Sequence, residues 1–133
     1  MTTFVDTSAL YALLDEDDEN HSAAAAWLSG PGGDPAEELL THNYVVVEAA
    51  ALVHRRLGAT AIRALLEDLI PALAVAFVDE SLHRLATSAF LGSARRRLSL
   101  VDWVSFELMR DLAVDRAFAF DRDFADQGFH LVP

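Results

Sequence analysis

The chain reads as an α/β domain, a three-layer α/β/α sandwich built on a mainly parallel sheet. Two observations predict this. Short apolar segments such as Thr3-Phe4-Val5, Ala74-Val75-Ala76-Phe77-Val78 and Ala117-Phe118-Ala119-Phe120 lack a polar side, as strands covered on both faces do. They alternate with segments of helical pattern, the order that builds a parallel sheet by crossovers. At 133 residues, 53% of them apolar, the chain can bury a core without disulfide or metal staples and is expected to form one domain over residues 1–133.

The elements follow in order. Thr3 to Val5 forms a strand ending at Asp6, and Ser8 to Leu14 a helix. Asp15 to Asn20 is an acidic turn, and His21 to Ser29 is helical until Gly30-Pro31-Gly32-Gly33-Asp34-Pro35 breaks it. Glu38 to Thr41 supplies a second strand, and Asn43 is placed to cap a helix from Tyr44 to Gly58. Ala59 to Leu69 makes another helix, stopped near Pro71. The Ala74 to Val78 strand leads to a helix from Ser81 to about Ser93, and Ser99 opens a helix reaching Leu112. Ala117 to Phe120 is a strand ending at Asp121, and Phe129 to Val132 is the last strand.

Composition removes several chemistries. All ten basic residues are arginine and cysteine is absent, so a P-loop lysine, a Schiff-base lysine and a thiol nucleophile are each excluded. The net charge of −11 argues against coating nucleic acid by bulk electrostatics. The lack of cysteine suits a reducing compartment, and the longest apolar run, Leu69 to Val78, is interrupted by Pro71 and too short to span a bilayer. No membrane is expected as a partner, and the cytosol is the expected location.

Four carboxylates stand in core-forming sequence rather than in solvated runs. Asp6 follows Phe4-Val5, and Asp121 follows Phe118-Ala119-Phe120. Both mark carboxyl ends of strands, the edge where open α/β sheets bind ligands. Glu48 shares a helix face with Tyr44, Val45, Ala51 and Leu52, and Asp102 shares one with Ser99, Phe106 and Met109. Converging carboxylates need protons, arginine or a cation, and oxygen donors suit Mg²⁺ or Mn²⁺. The five histidines show no zinc-like spacing.

Each acid also has a local reading. Asp6 can cap the helix after it, Ser99-Leu100-Val101-Asp102 fits a capping box, and Asp121 can cap a turn beside Arg122. Glu107 serves as a control: about 140° round the helix from Asp102, it is expected to face solvent.

Taken together, Phe4-Val5-Asp6-Thr7-Ser8-Ala9-Leu10, Asn43-Tyr44-Val45-Val46-Val47-Glu48, Ser99-Leu100-Val101-Asp102 and Ala119-Phe120-Asp121-Arg122-Asp123-Phe124 resemble the PIN-domain family. Their order and spacing match its VapC-type toxins, from Phe4 to Phe129. The resemblance implies a PIN-like fold and an Mg²⁺- or Mn²⁺-dependent endoribonuclease with Asp6, Glu48, Asp102 and Asp121 as catalytic and metal-holding acids. Ser8 matches the hydroxyl that supports the first acid. Asp123 departs from the histidine or asparagine of many relatives, and it either supplements Asp121 or sits beside it. The resemblance further implies an RNA substrate, tRNA or rRNA, a cognate antitoxin as partner and a homodimer. For the dimer, the helices before Gly58 and over Ile62 to Leu69 offer surfaces. Arg95-Arg96-Arg97, the one basic triplet, is either an RNA guide or a solvated helix end.

Two other PIN readings stand beside the toxin: an RNA-processing nuclease, and a non-catalytic interaction module, which the intact set of acids disfavours. A phosphoacceptor receiver domain lacks its required lysine here.

Overall fold

Every strand of the sheet runs in the same direction. In the computed structural model, which describes residues 1–133, β1 (Thr2–Val5), β2 (Glu38–His42), β3 (Ala74–Ala76), β4 (Arg116–Phe118) and β5 (His130–Val132) form a five-stranded sheet ordered β3-β2-β1-β4-β5. All four pairings are parallel. The connections are helical: α1 (Thr7–Leu14) and α2 (His21–Ser29) follow β1, α3 (Asn43–Leu57) and α4 (Ala59–Arg63) follow β2, and α5 (Glu80–Gly92) and α6 (Leu100–Asp111) follow β3. A single-turn helix, α7 (Asp123–Asp126), lies between β4 and β5.

Successive residues of a strand point to opposite faces, and Thr3, Phe4 and Val5 are all buried, so both faces of β1 are covered. Val5 and Phe118 are register partners, and Phe118 meets Trp27 of α2 at 4.4 Å between ring centres. Phe4 instead meets Phe124 of α7, which packs on Phe106 of α6. The α/β/α sandwich is therefore the observed architecture.

Differences from the sequence reading are local. The β3 and β4 strands end at Ala76 and Phe118, so Phe77, Val78, Ala119 and Phe120 belong to the exits from the sheet. The helix expected over Ala59 to Leu69 is α-helical to Arg63 and widens into a π-type turn over Ala64–Leu69 before Pro71. Asn43 does not cap α3. That role falls to His42, whose Nδ1 accepts from the Val45 amide at 3.3 Å, while Asn43 Oδ1 accepts from the Val78 amide at 2.7 Å and ties α3 to the exit of β3. Glu107 is not turned fully to solvent: its side chain keeps 18% exposure and pairs with Arg110 one turn on.

His42 is wholly buried. Because Nδ1 accepts, Nε2 carries the proton and donates to Ser105 Oγ at 2.9 Å, and Ser105 donates onward to the Val101 carbonyl at 3.0 Å. Burial holds the imidazole neutral by lowering its pKa to about 4.

Gly58 ends α3 at φ 85°, ψ −163°, a conformation that strains any residue with a Cβ, although a methyl there would meet no neighbour. Gly58→Ala is therefore expected to lose about 1–3 kcal/mol of stability through backbone strain alone, measured by urea unfolding, with the far-ultraviolet spectrum unchanged.

Candidate active site

In this strand order the chain direction of the crossovers reverses between β1 and β4, and their carboxyl ends flank the crevice where α/β sheets take ligands. Asp6 is the first residue after β1, and Asp121 lies three residues beyond β4. Glu48 enters from the second turn of α3, and Asp102 from the first turn of α6. The charges of Asp102 and Asp121 both act on Asp6, and that of Asp102 also acts on Glu48 and Asp121. All four acids thus share one electrostatic neighbourhood.

The three aspartates are each fastened by one oxygen. Asp6 Oδ2 accepts from the Ser8 amide at 3.1 Å and the Ser8 hydroxyl at 2.6 Å, and that hydroxyl in turn accepts from the Phe120 amide at 3.0 Å. Asp102 Oδ2 accepts from the amide and hydroxyl of Ser99 at 2.8 and 3.1 Å, while Ser99 Oγ accepts from the Asp102 amide, a complete capping box. Asp121 Oδ1 accepts from the Asp123 amide at 2.9 Å. The local capping readings and the site reading therefore coexist, because one oxygen caps and the other stays available. Glu48 has a different neighbour, Thr7, which sequence reasoning missed. Its buried hydroxyl has no hydrogen-bond partner of its own, yet stands close enough to Glu48 to favour the charged carboxylate. Only the packing of α1 against α3 reveals it.

No arginine or histidine forms an ion pair with Asp6, Glu48, Asp102 or Asp121. Burial therefore dominates their protonation. It pushes Asp6 up to about 7, against the pull of its Ser8 hydrogen bonds, and Asp121 up to about 6. Glu48 and Asp102 are raised for the same reason, and neighbouring acids add to each rise. Glu37 at the opposite edge of the sheet shows the contrast: its carboxylate is held by Arg116 Nη2 at 2.5 Å and by the Thr3 hydroxyl.

Uncompensated oxygen donors of this kind fit a hard divalent cation, and the orphaned Thr7 hydroxyl adds a further polar atom beside them. No three acid or histidine side chains stand close enough together to hold a metal ion among them as the chain is folded here. Such an open set suits an ion that retains part of its water shell, as Mg²⁺ does.

Asp123 lies in the same crevice but is engaged otherwise. Its Oδ1 accepts from Arg97 Nε and Nη2 at 3.0 and 2.7 Å, and Arg95 reaches Asp126 at 3.4 Å. Of the triplet, Arg95 and Arg97 are thus tied to α7, and Arg96 is exposed without an acidic partner.

The PIN domain family model matches residues 3–129. The chain belongs to the PIN domain family. It is 34% identical over 128 residues to the 23S rRNA-specific endonuclease VapC20 of Mycobacterium tuberculosis, in strains CDC 1551 and H37Rv alike, covering 95% of this chain and 94% of that protein. The crystal structure of Mycobacterium tuberculosis VapC20, a sarcin-ricin loop cleaving toxin, matches with a TM-score of 0.85 at 32% identity, over 97% of this chain and 96% of that one. The PIN fold expected from the sequence is thereby established, and with it a nuclease of the VapC type. No helix is long and apolar enough to cross a membrane.

The buried acids make stability depend on pH in a defined direction. Unfolded, Asp6 ionises near 3.8; folded, near 7. Between these values the folded state binds more protons, so raising the pH removes stability, and the loss is complete above about 7. An asparagine cannot ionise and still accepts from Ser8. Without divalent ions, Asp6→Asn should match the parent below about pH 4 and exceed it progressively up to neutrality, by about 3–4 kcal/mol at most. His42 titrates in both proteins and cancels. Mn²⁺ at neutral pH should raise the melting temperature of the parent more than that of the variant; urea melts and thermal scans check both.

Proposed function

We propose that the chain is the toxin of a VapBC-type pair, an endoribonuclease that hydrolyses a phosphodiester of ribosomal RNA in the crevice beyond β1 and β4. The observation that carries this is the set of four acids without a cationic partner at the reversal point of a parallel sheet. Asp6, Glu48 and Asp102 would hold Mg²⁺ or Mn²⁺, directly or through water. When bound, the ion supplies positive charge for the oxygens that become negative during cleavage and acidifies a water.

The protein's own contribution is position. Ser8 and Ser99 fix the carboxylates of Asp6 and Asp102 through one oxygen each, so the second oxygen of each is left unbonded on a side chain with little freedom to lose. Asp121, half-buried and raised toward neutrality, orients the attacking water and accepts its proton. Ribosomal RNA is favoured because the similar mycobacterial protein, which matches 95% of this chain, is named for cutting it.

In this reading the chain acts in the cytoplasm and is silenced by an antitoxin whose basic segment complements the charge of −11, a guanidinium standing among the acids in place of metal. A second copy of the chain seats on α3 and the turn after α4, where Val47 is 69% and Leu66 45% exposed. Leu66→Glu should then lower the sedimentation coefficient from dimer to monomer.

Purified chain incubated with a synthetic sarcin-ricin loop RNA and Mg²⁺ or Mn²⁺ is expected to cut it at one position, with chelator abolishing the cut. Asp6→Asn and Asp102→Asn should each reduce the rate about a hundredfold or more. Equal cleavage by Asp102→Asn, or cleavage indifferent to chelator, would overturn the assignment, and preferential cleavage of tRNA would move the target while keeping the chemistry.

A further inference from the structure

Six of the ten arginines are matched to acids: Arg63, Arg84, Arg95, Arg97, Arg110 and Arg116. Arg55, Arg56, Arg96 and Arg122 have no acidic partner, and Arg56 lies over the Tyr11 ring at 5.6 Å. Arg122 alone of these four lines the open cleft of about 590 Å³ that includes Asp121. The same cleft is lined by Arg97, Phe120, Asp123 and Asp126.

Arg97 is anchored without being used up. Asp123 is 4% exposed and takes both Nε and Nη2 of Arg97 on one oxygen, whereas the Arg97 side chain remains 69% exposed and keeps its Nη1 donors free. A guanidinium fixed on one edge and open on the other is prepared for a phosphate, since the entropy of ordering its long side chain is lost at folding rather than at binding. The cleft thus carries two outward guanidiniums beside Asp121 on a surface that is otherwise repulsive to RNA.

We infer that Arg97 and Arg122 grip a backbone phosphate of the RNA next to the one that is cut, and that Asp123 is a positioning residue for Arg97 rather than a fourth or fifth holder of metal. This rests on the RNA-cleavage reading and names the substrate contacts of that same site. It also sets Asp123 apart from Asp121: their carboxylates are neighbours, but only the first is committed to a guanidinium.

The test uses the full chain and a fluorescent sarcin-ricin loop hairpin. In cleavage assays Arg122→Ala is expected to raise KM about fivefold or more while kcat falls less than twofold, and to reduce the slope of log(kcat/KM) against log[salt] by about one, with Arg122→Lys restoring most of the slope. Asp123→Asn should raise KM similarly and leave Mn²⁺ affinity, measured by calorimetry, within about twofold; loss of a true ligand would weaken it tenfold or more. Hairpin binding by anisotropy, with Asp102→Asn as the background, reads the same contacts without turnover, so it decides the inference even if the parent proves inactive. Unchanged hairpin affinity and salt slope in Arg122→Ala overturn the phosphate contact, and a tenfold loss of Mn²⁺ affinity in Asp123→Asn overturns its positioning role. Failure of the parent to cut RNA counts against the functional reading alone.

Discussion

The Ser8 hydroxyl joins the two halves of the site. It donates to Asp6 at the end of β1 and accepts from the Phe120 amide beyond β4, and with the backbone hydrogen bond from the Asp6 amide to the Phe118 carbonyl at 3.1 Å it holds the two exits that flank the crevice in register. Its amide reaches the same carboxylate. Asp6 can therefore remain nearly buried while carrying a charge that burial opposes, and Asp121, one residue beyond Phe120, is brought toward it.

Charge explains how the rest is arranged. The two edges of the sheet handle buried carboxylate in opposite ways: Glu37 is matched to Arg116 and Thr3 at the amino edge, whereas Asp6, Asp102 and Asp121 at the carboxyl edge are matched only to amides and hydroxyls. Hydrogen bonds orient a carboxylate but do not cancel it, so proton affinity rises throughout the cluster. Unmatched charge at neutral pH costs stability, and under the proposed function it would draw a cation and repel RNA except where arginines stand. Those arginines sit on the loop before α6 and at the start of α7, the two segments next to Asp102 and Asp121.

His42 gives the second constraint. It caps α3, stacks on Phe4 and reaches Ser105 on α6, so it fixes the helix that carries Glu48 relative to the helix that carries Asp102. A neutral, singly protonated ring satisfies all of these contacts, and burial keeps it so. The sequence offered Asn43 for the cap because side-chain type alone favours it; the choice fell to His42 because Asn43 Oδ1 is occupied by the Val78 amide.

Strand and helix order and the parallel sheet were legible from the sequence, because apolar runs without a polar side have few other uses, and so was the placing of four carboxylates in apolar surroundings. The motif order also carried the family. What the chain could not reveal alone are contacts between segments far apart in it: Ser8 with Phe120, Thr7 with Glu48, and Arg97 with Asp123. Asp121, Arg122 and Asp123 stand side by side in sequence with no sign of their different surroundings. Only the folded chain separates them, because an acid's surroundings depend on which distant amide, hydroxyl or guanidinium is packed against it, and that is decided by tertiary structure.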